Sequence, residues 1–286
     1  VYDFVIVDGE GDLDWLEIRL DGMGGHVDYF IIAEGALTGD GEGIVRRNWD
    51  RFERWQKKIV LFVLEEEPAG QRREDFQRNA MFLKAMSTIE GEKKPRRGDV
   101  LIIANVDEIV RPAALLVLRN CDFPKRVTLR SRLYYYGFQW LHRGEEWAYP
   151  QATTYQGGNT ILPADLRNGD GGNRMVNWWD KADFWNAGWH CRFCFKTIED
   201  MLDKMASLSD MGLNQEAFRN RMRIVDRVRK GLDLWDMESE GFERIEASDD
   251  IPEMVLKQRE RFGYLLNRDG PNSGFVDMGA GELTAD

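Results

Sequence analysis

Apolar residues gather in short, β-branched runs separated by stretches of helical spacing, and the alternation is regular through about the first 120 residues. Tyr2-Asp-Phe-Val-Ile-Val7, Val27-Asp-Tyr-Phe-Ile-Ile-Ala33, Lys58-Ile-Val-Leu-Phe-Val-Leu64 and Val100-Leu-Ile-Ile-Ala104 each read as a strand, the last as one buried on both faces. Between them, Leu13 to Leu20, introduced by Asp12 as a capping residue, and about Gln71 to Ile89 read as helices. Strands alternating with helices predict βαβ units, hence an α/β fold with a mostly parallel central sheet and helices on both faces.

From Arg126 the pattern changes. Val127 to Trp140 is β-rich and aromatic, with Tyr134, Tyr135, Tyr136, Phe138 and Trp140 in one run. Such density marks a core or sheet face, although exposed rings are also how proteins stack against sugars. Asn168-Gly-Asp-Gly-Gly-Asn173 reads as a mobile or ligand-gated loop. Helices return at Ile198 to Leu208 and Gln215 to Lys230, where Phe218, Met222, Val225 and Val228 recur at helical spacing. The basic group Arg219, Arg221, Arg223, Arg227, Arg229 and Lys230 reads as a solvated face that can supply phosphate contacts at one end. A single domain over 1–270 is expected, followed by a poorly ordered tail over 271–286, rich in Gly and Asp.

Composition narrows the function classes. Acidic side chains outnumber basic ones by 50 to 39, for a net charge of −11, which argues against a nucleic-acid or anionic-membrane binder. No apolar segment is long enough to span a bilayer. The chain therefore reads as soluble in itself, or as what remains once a leader or anchor is removed. Three cysteines, Cys121, Cys191 and Cys194, cannot form a disulfide framework that holds the fold together.

Two strings carry candidate chemistry. The strand Val100 to Ala104 ends in Asn105-Val-Asp-Glu108. On an extended segment Asn105 and Asp107 share a face, where both can meet a cation or a phosphate-bearing ligand, with Glu108 turned away. The simpler reading is that Asn105 or Asp107 caps the helix suggested by Pro112 to Leu118. The second string is Ala187-Gly-Trp-His-Cys-Arg-Phe-Cys-Phe195. One C-x-x-C beside one His lacks the second half of a zinc site, and the context differs from a thioredoxin-like pair. His190 by itself fits a hydrogen-bonded core residue as readily as a ligand.

Together these strings resemble glycosyltransferase family 17. The matching pieces are Leu13 to Leu20, Val27 to Glu34, Glu74-Asp-Phe-Gln-Arg78, Asp99 to Ile109, Tyr135 to Trp140, Ala187 to Phe195 and Arg261 to Leu266, in the family's order. The resemblance implies a GT-A-type nucleotide-sugar transferase with a Rossmann-like sheet and a metal-binding D-x-D at a strand end. A divalent ion, Mn²⁺ or Mg²⁺, would neutralise the diphosphate of a UDP-sugar donor. Asp107 and His190 are then the implied metal ligands, and Glu34, Arg78 and Asn105 the donor-binding residues. Glu108 is the implied base toward a glycan acceptor in an inverting transfer of N-acetylglucosamine or a related sugar. The implied location is the Golgi or another secretory lumen for a eukaryotic protein whose anchor is removed, and the cytoplasm otherwise.

Three positions depart from the family's pattern. Asn105 stands where the first aspartate of D-x-D is expected, Asp210 closes Ser207-Leu-Ser-Asp210 where a histidine is expected, and Leu37 to Glu42 replaces a Thr-rich loop. Asn105 and Asp210 sustain one rival expectation, a catalytically silent carbohydrate-binding protein that kept the fold; the strand-end carboxylates sustain another, a metal-dependent phosphoester hydrolase. Three histidines in all weigh against a two-metal hydrolase.

Overall fold

The computed structural model describes residues 1–35, 42–64, 73–169, 179–206, 215–237 and 241–279. The glycine-rich loop after Glu34, the acidic run Glu65 to Glu67, the loop Asn168 to Asn173 and the string Ser207 to Asp210 fall wholly or partly outside them. In chain order come β1 (Tyr2–Val7), α1 (Asp12–Met23), β2 (Tyr29–Gly35), α2 (Ile44–Arg47), β3 (Ile59–Leu64), α3 (Arg73–Thr88), β4 (Val100–Ile103), β5 (Glu108–Val110) and α4 (Pro112–Asn120). Then follow β6 (Arg126–Tyr135), β7 (Trp140–His142), β8 (Gln151–Thr154), α5 (Pro163–Arg167), β9 (Lys181–Arg192), α6 (Ile198–Ala206), α7 (Arg221–Lys230), β10 (Phe242–Arg244), α8 (Glu253–Lys257) and α9 (Gly263–Leu266). The chain folds as two compact units, Val1–Ser131 with Ala148–Gly188 and Arg132–Trp147 with Trp189–Asp286.

In the first unit β3, β2, β1 and β4 lie side by side and parallel, with Phe30 opposite Ile59, Tyr2 opposite Tyr29, and Tyr2 opposite Leu101. Alternation along β1 explains its composition. Tyr2 and Phe4 pack with Met81, Phe82 and Ala85 of α3 and Leu166 of α5, whereas Asp3 meets Arg19 of α1. Burial on both faces is why these strands read as continuous apolar runs.

The sheet is mixed, which corrects the expectation of a mostly parallel one. β8 runs antiparallel to β4, and the start of β6 antiparallel to β8, with Val127 opposite Ala152. The half-buried alternation along β6 is the signature of such a strand. Asp12, expected to cap helix α1, is instead its first residue; Gly11 is the N-cap, and the Asp12 carboxylate accepts the Asp8 N–H at 2.8 Å.

The second unit is built on aromatic packing. Tyr135, Tyr136, Trp140, Phe193 and Trp235 share a core with Met201, Val225 and Val228. The end of β6 pairs with β7 and β7 with β10, all antiparallel. Asn220 caps α7 by accepting the Arg223 N–H at 2.9 Å, and Gly231 ends it in the left-handed conformation. The basic residues of α7 find acids in their own unit: Arg223 and Arg227 meet Asp236, and Arg229 and Lys230 meet Asp226. Phe275 and Met278, in the stretch whose composition reads as a tail, are buried in this core. Arg268 anchors them from within: it is fully buried and donates to the carbonyls of Tyr136, Phe195 and Ser273 at 2.8, 2.6 and 2.9 Å. Cys191 and Cys194 form a disulfide, leaving Cys121 as an exposed free thiol.

Candidate functional site

At the carboxyl end of β4 the chain turns sharply. The Ala104 N–H still bonds to Phe4 O at 3.1 Å, and Glu108 N–H then donates back to Asn105 O at 3.1 Å. Residues 105–108 therefore form a tight turn, and Asn105 and Asp107 do not share a face of an extended strand as expected. Neither caps α4, whose N-cap is Arg111 with Pro112 as its first helical residue.

Two buried arginines clamp this turn. The Arg19 guanidinium forks onto Asp3 with Nε and Nη2, at 2.6 and 2.5 Å. Its Nη1 then reaches Glu108 O at 2.6 Å and Asn105 O at 3.2 Å. Arg167, the last residue of α5, pairs with both Glu108 oxygens at 2.5 and 3.0 Å, and its guanidinium lies 3.9 Å from the centre of the Tyr149 ring. Asn79 of α3 fixes the start of α5 by accepting the Ala164 N–H at 3.0 Å. Burial opposes the charge on Arg167, yet Glu108 holds it more firmly protonated than an ordinary arginine. Glu108 itself is fully buried, and its Oε2 also accepts the Asn105 N–H at 2.8 Å. With both oxygens occupied by a permanent cation, Glu108 holds the turn in place and is poorly suited to take a proton from an acceptor.

A third arginine, Arg78 of α3, completes the cluster. Its Nη2 donates to the Asn105 side-chain oxygen at 3.0 Å and to Glu74 at 3.0 Å, and Asp75 lies 3.8 Å from Nη1. Its Nε is buried with no hydrogen-bond partner among the described residues. Burial and the like charge of Arg167 pull its pKa below the ordinary arginine value. The structure thus brings together Arg78, Asn105 and Glu108, three of the six expected site residues. Asp107 sits half-buried in the same turn.

Glu34 is the penultimate residue of β2, elsewhere in the first unit, fully buried, with Oε2 accepting the Val45 N–H at 2.6 Å. Burial pushes its carboxyl up, against the Val45 N–H that holds it down. Gly43 leaves the necessary space, because a Cβ there would overlap the Glu34 carboxyl carbon. His190 belongs to the second unit, where it is buried and stacked on Trp147 with ring centres 5.0 Å apart.

The donor set does not fit the metal site that the resemblance implies. Asn105 supplies an uncharged oxygen that already accepts from Arg78, Glu108 is committed to Arg167, and the implied ligand Asp107 is the one other carboxylate in the turn 105–108. Among the described residues no group of three or more His, Cys, Asp or Glu side chains can hold a metal ion. Sequence reasoning missed Arg19 and Arg167. Arg19 left a faint signal, a charge flanked by Ile18 and Leu20 on a helix whose neighbours are nearly all buried; Arg167 left none.

The family model for glycosyltransferase family 17 matches residues 1–270. The human β-1,4-mannosyl-glycoprotein 4-β-N-acetylglucosaminyltransferase is 24% identical over 298 residues, covering 90% of this chain and 53% of the human protein. Its rat counterpart is 23% identical, covering 89% and 52%. The chain thus spans about half the length of the curated relatives it matches. Among solved structures, HddC from Yersinia pseudotuberculosis aligns at a TM-score of 0.36 and 9% identity, over 71% of this chain and 96% of that one, too distant to bear on function. The match over nearly the whole described chain makes this protein a member of glycosyltransferase family 17.

Proposed function

We propose that the chain is a GT-A-type glycosyltransferase that moves N-acetylglucosamine or a related sugar from a UDP-sugar to a glycan acceptor with inversion. The observation that carries this reading is the guanidinium of Arg78 at the carboxyl end of β4, the edge where open α/β sheets bind their ligands, held by Asn105 and with an N–H unspent. Such a cation suits a nucleoside diphosphate, which loses charge stabilisation from water as it binds. Glu108, Arg167 and Arg19 keep the turn rigid, so that Asn105 presents Arg78 at a fixed place. The Cys191–Cys194 disulfide supports an oxidising, secretory-type compartment as the working location.

The test is UDP release from UDP-N-acetylglucosamine with a panel of N-glycan acceptors, with product linkage read by mass spectrometry. Acceptor-dependent release supports the reading. Binding of glycans with no release under any metal condition would favour a silent carbohydrate-binding protein, a reading prompted by the full engagement of Glu108.

A further inference from the structure

The strand-end cluster divides its charges unevenly. Arg19 is closed by Asp3, and Arg167 by Glu108, each through two hydrogen bonds to a fully buried carboxylate. Among the described residues Arg78 has no such counter-ion. Its firm partners are the neutral amide oxygen of Asn105 and Glu74, whose side chain is 62% exposed. An aspartate at position 105 would pair with the guanidinium and cancel its charge; asparagine orients the group and leaves the charge available. Asp75 is 3.8 Å away and already accepts from Asn168 at 3.1 Å. Among the described residues the buried Nε hydrogen of Arg78 has no partner, although arginine donors in such places are ordinarily satisfied.

A divalent ion at the Asn105 oxygen would lie against this guanidinium, cation beside cation, and with Glu108 taken it would have Asp107 as the one carboxylate of the turn to hold it. A diphosphate has the opposite preference. Its oxygens can displace the exposed Glu74 carboxylate and take up the free Nε hydrogen, giving Arg78 a two-pronged phosphate contact.

We propose that this chain meets the diphosphate charge of its nucleotide donor with Arg78, oriented by Asn105, in place of a divalent cation, so that nucleoside diphosphate binding is independent of metal. The proposal rests on the nucleotide-sugar reading above and deepens it.

Calorimetric titration of UDP, UMP and uridine into the full chain tests it, in EDTA and again in Mn²⁺ or Mg²⁺. UDP is expected to bind with the same affinity in all three conditions, and more tightly than uridine. Arg78→Met should weaken UDP by about 10- to 100-fold, the range of a hydrogen-bonded charge contact, while leaving uridine unchanged. Arg78→Lys, which keeps the charge but not the fork, should fall between. Asn105→Asp should weaken metal-free UDP binding by about tenfold, because the new carboxylate takes the guanidinium for itself. Circular dichroism and the uridine affinity show whether each variant remains folded. UDP binding that requires Mn²⁺ or Mg²⁺ overturns the proposal and leaves the transferase reading standing. Metal-free binding that ignores both Arg78 variants overturns the assignment of Arg78. Binding of UDP under no condition removes the nucleotide-sugar reading and this inference with it.

Discussion

Replacing Glu108 with glutamine separates two roles open to the same carboxylate, holding the turn and taking a proton. The side chain is fully buried, and it receives two bonds from Arg167 and one from the Asn105 N–H. Glutamine keeps the shape but brings an NH₂ against a field of donors, so at least one bond to a charged group is lost, worth about 1.5–3 kcal/mol. Arg167, itself nearly buried, is left as an uncompensated cation. Breaking a buried pair by removing one partner costs about 3–5 kcal/mol, and we expect Glu108→Gln to fall in that range. Against a typical total stability of about 5–15 kcal/mol, this is a large fraction. Urea denaturation followed by circular dichroism reads the loss directly. Arg167→Met should cost a similar amount, and Glu108→Leu with Arg167→Met together should cost clearly less than the sum, since no lone charge remains. A base with no structural task behaves otherwise. If Glu108→Gln kept wild-type stability within about 0.5 kcal/mol while abolishing transfer, the positioning role argued from the geometry would be refuted.

Glu34 supplies a pH test. Its folded-state pKa is raised by burial, so the folded protein binds this proton at a higher pH than the unfolded chain does. Its ionisation therefore weakens folding at neutral pH, and the deficit lifts as the pH falls through the raised value toward the unfolded one. Glu34→Gln should melt higher than wild type at about pH 7 and converge with it near about pH 4, and parallel melting curves across that window would contradict the assignment. In the second unit, Arg268→Lys cannot reach all three carbonyls that the guanidinium serves, and each one abandoned costs about 1–3 kcal/mol. A lowered denaturation midpoint with loss of near-ultraviolet dichroism from the aromatic core is expected; an unchanged midpoint would show that water replaces those bonds.

The parallel strands β1 to β4 were legible because burial on both faces writes itself as unbroken β-branched runs, and their observed ends lie within about two residues of those expected. β9 was not legible as a strand. Its first half is largely exposed and its second half deeply buried, so Lys181 to Arg192 shows neither alternation nor an apolar run, and only its Gly-Trp-His-Cys string drew notice. The packing of the described residues 271–279 is hidden from composition for a similar reason. Glycine and aspartate dominate residues 269–280, but two large apolar anchors, Phe275 and Met278, decide where it goes.

The turn at 105–108 shows where local reading stops. Asn-Val-Asp-Glu contains neither Gly nor Pro, and an extended strand end was the natural local expectation. What bends it is tertiary: Arg167, fifty-nine positions along the chain, takes the Glu108 side chain, while Arg19 draws in the carbonyls of Asn105 and Glu108. Once those two cations are spent, the chemistry of the strand end depends on Arg78, and so on the residue that holds it. Asn105 looked like a missing charge so long as the site was assumed to gather a metal. Beside an otherwise weakly countered guanidinium the same residue has the opposite sign: it withholds a carboxylate that would have neutralised the cation proposed to meet a diphosphate.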